Sequence, residues 1–201
     1  MLVRRISVGF ASFALTATVV VARPILSSAQ TPGKVVVAAP KSQVPAAQPR
    51  DPQARFKQTV APLAAAFVGS WDCAGEFLNG TKIAATISVT LELDGTWLQV
   101  RHADKPPHDF KALAMWGVEA SSGKLISVMH DSFLGARLFT SDGWSNRTIR
   151  FESTRLMSAP MRRERFTYAV KPDGKFRMDY EVSKDGSTWK LGDYIVCTKQ
   201  H

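Results

Sequence analysis

Residues 82–98, KIAATISVTLELDGTWL, contain the pattern that decides the fold. From Ile83 to Leu93 an apolar residue alternates with a small, polar or charged one, and Asp94-Gly95 then interrupts the alternation. A period of two is typical of a strand with one buried face. Asp-Gly favours a tight hairpin because both residues tolerate positive φ. The stretch therefore predicts two antiparallel strands, with the alternating apolar residues, through Leu91 and Leu93, on one buried face.

The same alternation continues towards the end of the chain, for example from Phe176 to Ser183. Turn residues interrupt it nine times, at 79–80, 94–95, 105–108, 121–123, 131–135, 141–143, 158–160, 172–174 and 185–186. No segment between consecutive strands is long enough for a helical crossover or a Greek-key connection, which excludes α/β folds and sandwiches. We therefore expect an all-β domain, a single up-and-down antiparallel barrel of ten strands, because closure removes both exposed edges.

A short apolar segment, residues 60–68, precedes the first predicted strand. Thr59 is its expected N-cap, and Pro62 would lie in the first turn, where the missing N–H is tolerated. The sequence thus predicts one short helix at one end of the barrel.

The N-terminus has the pattern of a secretory signal peptide. Arg4 and Arg5 form a basic region, residues 6–22 carry no charge, and the small residues 27–29 suit a signal peptidase. We predict a signal peptide over residues 1–29 and a periplasmic or secreted protein, without integral membrane association after cleavage. Cleavage after Ala22, a twin-arginine route and an uncleaved anchor are the alternatives.

Residues 30–56 are rich in Pro, Ala, Gln and Val, with few large apolar side chains. Such a composition predicts a disordered linker, followed by the barrel domain over residues 57–201. Two thirds of the net charge of +9 lies in residues 1–56. A nucleic-acid-binding protein would concentrate its charge on the folded surface, so no nucleic-acid partner is expected. The sequence does not indicate an oligomeric state.

Short motifs resemble those of calycin barrels. The helix running into Phe67-Val-Gly-Ser-Trp71 resembles their entry, in which Gly-x-Trp opens the first strand. Residues 93–98 (LDGTWL) and 139–146 (FTSDGWSN) resemble the second hairpin and the sixth turn of secreted bacterial lipocalin-like proteins of unknown function. The resemblance spans about residues 60–199. It implies a ten-stranded calycin barrel, related to fatty-acid-binding and nitrobindin-like haem proteins, and no particular ligand.

Haem binding is not expected on this resemblance. Nitrobindin-like proteins open with Gly-x-Trp-x-Gly-x-Gly and bind haem through a histidine near the end of the barrel. Residues 69–75 are Gly-Ser-Trp-Asp-Cys-Ala-Gly, and the chain offers only Thr-Lys-Gln-His at 198–201. We predict no cofactor and, since no histidine pair stands at ligand spacing, no metal site.

Cys73 and Cys197 are the only cysteines, in the first and the last predicted strand. These strands are neighbours in a closed barrel, and export favours oxidation. A Cys73–Cys197 disulfide is therefore expected, with two free buried thiols as the alternative.

Six residues are candidates to line the barrel interior and bind a ligand. They are Trp116, His130, Phe166, Tyr168, Met178 and Tyr180. His130 is included because it shares parity with Ile126 and Val128, which would place it on the apolar, inward face. These positions predict binding of a small apolar molecule. A filled barrel with an envelope-structural or protein-interaction role is the alternative, and a hydrolase or isomerase using His130 is a further one.

The chain contains no catalytic motif of a known class, and no catalytic residue is assigned. Arginines at 155, 162, 163 and 165 flank the predicted turn at 158–160. They form either a solvated hairpin tip or an anion-attracting portal. Arg163 and Arg165 have the parity opposite to Phe166 and Tyr168, so we expect these two to face outward.

Overall fold

The computed structural model describes residues 51–133, 135–153 and 162–200. One helix, α1 (Pro52–Phe67), precedes ten strands. The strands are β1 (Gly69–Phe77), β2 (Lys82–Glu92), β3 (Trp97–Asp104), β4 (Lys111–Val118), β5 (Leu125–Asp131), β6 (Gly135–Ser141), β7 (Thr148–Ser153), β8 (Arg163–Val170), β9 (Phe176–Ser183) and β10 (Lys190–Lys199). The predicted signal peptide, the linker as far as residue 50 and the predicted turn at 158–160 lie outside the described residues.

The ten strands form one closed antiparallel barrel. Each strand pairs with its neighbour in the chain, and β1 pairs with both β2 and β10. The predicted up-and-down topology is confirmed. Closure gives every strand a neighbouring strand on both sides, which removes the two free edges of an open sheet and is the physical reason a meander of this length closes on itself.

The helix begins earlier than the sequence pattern predicts, so the predicted start at residue 60 with Thr59 as N-cap is wrong. Asp51 is the N-cap, and its side chain accepts the backbone N–H of Gln53 at 2.9 Å. Pro52 occupies the first helical turn, where its fixed φ suits the helix. Residues 52–56, which the composition assigns to the linker, are therefore helical. Asp51-Pro52 is a helix-start signal, but it lies in a proline-rich segment whose composition predicts a linker.

The quoted stretch forms the predicted hairpin, but its last leucines are not buried. Leu91 is 48% exposed and Leu93 is 65% exposed. β1 pairs with β2 only as far as Val89, so beyond that point β2 has a partner strand on its β3 side alone. The chain also leaves the extended conformation at Leu93, where φ is 48°, and parity no longer sets the side of the residue.

Aromatic side chains fill the end of the barrel nearest α1. The ring of Phe67 packs edge-on against Trp116, Trp144 and Phe176, with centroid distances of 5.4–5.7 Å. The indole N–H of Trp71 donates to the Phe67 carbonyl at 2.8 Å. The last turn of the helix is thus fixed to the first strand and closes this end of the core.

The expected disulfide joins the first strand to the last. Cys73 lies directly opposite Cys197 in the β1–β10 register, and both residues are buried. Their Sγ atoms are 2.05 Å apart and their Cα atoms 4.0 Å apart. The bond fastens the barrel at the seam where closure occurs.

Candidate functional site

A cavity of about 330 Å³ occupies the part of the barrel beyond the aromatic cluster, and Tyr168 lies at the boundary between the two. Its wall is mostly apolar and includes Ile83, Ile87, Val100, Ala114, Met129 and Ile195. Aromatic rings contribute a second group of wall residues: Phe77, Phe110, Phe133, Phe166, Tyr168 and Tyr180. Phe133 is 63% exposed, so the cavity reaches the barrel surface at the β5–β6 turn. The volume lies at the lower end of the range for ligand sites and suits a compact molecule.

Four of the six predicted ligand-binding residues line this cavity. They are Phe166, Tyr168, Met178 and Tyr180. Trp116 is buried but does not line the cavity, because its ring packs against Phe67, Phe151 and Tyr168 in the aromatic cluster. Trp116 therefore belongs to the aromatic cluster at the helix end of the barrel and does not line the cavity.

His130 lies on the outer face of the barrel and is exposed. The prediction that it faces inward is wrong. In β5 the buried residues are Leu125, Ser127 and Met129, whereas the apolar Ile126 and Val128 are only partly buried on the other face. Both faces of β5 carry apolar residues, so the hydrophobic pattern predicted the outer face to be the inward one.

A buried cluster of charged side chains stands at one side of the cavity, centred on Arg137. One terminal nitrogen of Arg137 donates to Glu164 Oε2 at 2.8 Å, and the other contacts Asp131 and the sulfur of Met129. Burial opposes the charge on Arg137, but the neighbouring carboxylates of Glu164 and Asp131 outweigh it and raise the pKa of the guanidinium. Its Nε finds no hydrogen-bond partner within the described part of the chain. Arg137 thus forms a buried ionic cluster with two carboxylates, and its two terminal nitrogens are both engaged.

Glu164 also binds the phenol of Tyr180. The Tyr180 hydroxyl donates to Glu164 Oε1 at 2.6 Å and accepts from Arg162 Nη2 at 3.3 Å. Burial, followed by the hydrogen bond to Glu164, raises the pKa of Tyr180. Burial likewise raises the pKa of Tyr168. Both phenols stay neutral at ordinary pH and present a polar tip on an apolar ring.

A second polar group comes from β3 and β10, which β1 and β2 separate in the sheet. His102 Nε2 is 2.7 Å from Asp104 Oδ1, and both side chains are largely buried. Asp193 lines the same cavity and is half-buried. Burial raises the pKa of Asp193 to about 6; His102 opposes this rise, while Asp104 and Asp179 add to it. The positive charge near the Asp193 carboxylate is therefore too small to offset its burial and the neighbouring carboxylates.

His102, Arg137, Glu164 and Asp193 were not among the residues predicted to face the interior, although parity indicates an inward position for three of them. Glu164 alternates with Phe166, Asp193 with Ile195, and His102 with Val100. A charged residue on an apolar face is a signal for an interior polar group. At Asp193 parity is a weaker guide, because the β9–β10 register shifts between Leu191 and Asp193.

The flanking arginines divide between the two faces. Arg162 lines the cavity, whereas Arg163 pairs with Glu152, and Arg165 pairs with Glu181 and stacks over Trp189. The two outward placements agree with the prediction from parity. Arg155 lies outside the described residues.

Within residues 51–133, 135–153 and 162–200, no group of three or more His, Cys, Asp or Glu side chains is arranged to hold a metal ion. No helix in the same ranges is long and apolar enough to cross a bilayer.

Comparison with protein-family models finds no match to this chain, and comparison with curated proteins finds none either.

Proposed function

We propose that this protein binds a small, largely apolar molecule inside its barrel. The observation that carries the proposal is the 330 Å³ cavity with its apolar and aromatic wall. An engineered protein cavity of about 150 Å³ suffices for benzene, so this space suits a molecule of about two rings. The aromatic cluster around Phe67 fills only the end of the barrel nearest α1. This favours ligand binding in the remaining cavity over a filled barrel with a purely structural role.

We further propose that the domain is a calycin-like barrel. A closed meander of ten antiparallel strands that a helix precedes is the architecture that the sequence resemblance implies. The entry residues of that resemblance, Phe67 and Trp71, are both buried and joined by a hydrogen bond.

Export to the periplasm or the medium is the third part of the proposal. A disulfide between buried cysteines is compatible with an oxidising compartment. Mass spectrometry of the protein from its native host is expected to give a mature N-terminus at Gln30, following removal of residues 1–29. An intact Met1 would contradict export by cleavage.

Ligand binding is tested by filling the cavity. Ala114 is buried and lines it, so Ala114→Trp would occupy the space of a ligand. Ala136 is exposed on β6, and Ala136→Trp is the matched control. The probe is 6-propionyl-2-(dimethylamino)naphthalene, a neutral two-ring aromatic whose fluorescence rises in apolar surroundings.

We expect saturable fluorescence enhancement with the native protein and with Ala136→Trp, and at least a tenfold weaker affinity for Ala114→Trp. Far-ultraviolet circular dichroism checks that both variants keep the barrel. Equal binding by the three proteins would place the probe elsewhere and contradict the proposed site.

A further inference from the structure

The carboxylate of Asp193 points to the chemistry of the ligand. Asp193 lines the cavity, and no side chain in the described ranges donates a hydrogen bond to it. A half-buried carboxylate without a donor or a cation loses part of its hydration, and a positively charged group beside it restores the lost interaction.

The wall around Asp193 has more acid than base. His102 is engaged with Asp104, 2.7 Å away, and lies near enough to Asp193 to act on it electrostatically. One imidazole thus faces two carboxylates, those of Asp104 and Asp193. Asp109, which is exposed, adds a further carboxylate to the cavity lining, and His108, whose Nε2 is 3.1 Å from the Lys82 carbonyl oxygen, adds a second imidazole. The β3–β10 side of the cavity therefore carries an excess of negative charge.

The two arginines of the cavity do not offset this excess. Arg137 directs its terminal nitrogens at Glu164 and Asp131. The Nε of Arg162 lies 3.6 Å from Glu164, and its Nη2 donates to Tyr180. Two guanidinium groups thus face two carboxylates in the Arg137 cluster. Among the cavity-lining residues that the structure describes, no guanidinium lacks an opposing carboxylate for an anionic ligand to replace.

Aromatic faces surround the same space. Phe77, Phe166 and Tyr180 line the cavity, and the rings of Phe166 and Tyr180 stack 5.0 Å apart. A cation near aromatic faces is attracted by the electron density of the rings, most strongly where water is excluded. A carboxylate together with aromatic rings is a suitable environment for an ammonium group.

We infer that the cavity selects compact apolar molecules that carry one positively charged amine, with Asp193 as the partner of that amine. The inference rests on the proposed function, since it names the class of ligand for the same cavity. The apolar body would lie against the aliphatic wall near Ala114 and Met129, and the amine at the β3–β10 side.

Three probes with one naphthalene ring system and different head groups test the inference: 1-naphthylmethylamine, 1-naphthylmethanol and 1-naphthoic acid. At pH 7.5 they are cationic, neutral and anionic. Their affinities are measured by calorimetry on the native protein, on Asp193→Asn, and on Asp142→Asn, which removes an exposed carboxylate elsewhere. We expect the amine to bind at least tenfold more tightly than the alcohol, and the acid most weakly.

Asp193→Asn is expected to weaken amine binding about tenfold and to leave alcohol binding within twofold, whereas Asp142→Asn changes neither. Amine affinity no higher than alcohol affinity would overturn the inference and leave the proposed function standing. Tighter binding of the acid would do the same and assign the head group to Arg162. Failure of all three probes to bind would overturn both. Asp104→Asn serves as a second variant, with a smaller loss expected because Asp104 already pairs with His102.

Discussion

Replacing Asp193 by asparagine is expected to stabilise the folded protein at neutral pH. Burial raises the pKa of Asp193 from its ordinary value of 3.8 to about 6. One pKa unit corresponds to about 1.4 kcal/mol, so ionising this carboxyl at pH 7 costs the folded state at most about 3 kcal/mol. Because the side chain is only half-buried, solvent screens part of this cost. We therefore expect Asp193→Asn to raise the free energy of unfolding by about 1–2 kcal/mol at pH 7.

The pH dependence gives the sharper test. The folded pKa lies above the unfolded one, so the carboxyl contributes its full stability below pH 3.8 and loses it as the pH rises through about 6. Asparagine cannot ionise and escapes that loss. The gain in Asp193→Asn should therefore shrink to less than about 1 kcal/mol at pH 4.

Urea denaturation at pH 4 and pH 7, followed by tryptophan fluorescence, measures both values for the native protein and for Asp193→Asn. Asp142→Asn is the matched control, since its carboxylate is exposed. A loss of stability at pH 7, or the same gain at both pH values, would refute the reasoning. Either result would mean that Asp193 has a favourable partner in the folded state.

Three further predictions concern the contacts that hold the barrel. Replacing Cys73 and Cys197 together by alanine should lower the free energy of unfolding by about 5 kcal/mol in the chain-entropy model for a separation of 124 residues, and reduction of the native protein should give a similar loss in urea. Glu164→Ala should cost about 3–5 kcal/mol because it leaves Arg137 buried beside a single carboxylate, and a loss no larger than that of Glu181→Ala would argue against the buried pair. Phe67→Ala should cost about 3–5 kcal/mol by opening a void in the aromatic cluster, whereas Phe133→Ala, at a position 63% exposed, should change stability by less than about 0.5 kcal/mol; similar melting temperatures for the two would contradict this placement of the core.

The local pattern of the sequence was sufficient for the architecture. Alternation and turn residues act over a few positions, so the ten strands and their order follow from the chain alone. The disulfide follows in turn, because Cys73 and Cys197 lie in the two strands that closure brings together. Local signals also placed Phe166, Tyr168, Met178 and Tyr180 on the inner face, where an apolar face alternates with a polar one.

The interior chemistry was decided by tertiary structure. Glu164 and Arg137 are 27 residues apart, on strands that β7 separates in the sheet, so only the curvature of the closed wall brings their side chains together. His130 also shows what the sequence pattern alone could not predict, because it shares parity with apolar residues and yet faces outward. A period of two specifies which residues share a face, but where both faces are apolar, only the closing of the barrel determines which one turns inward.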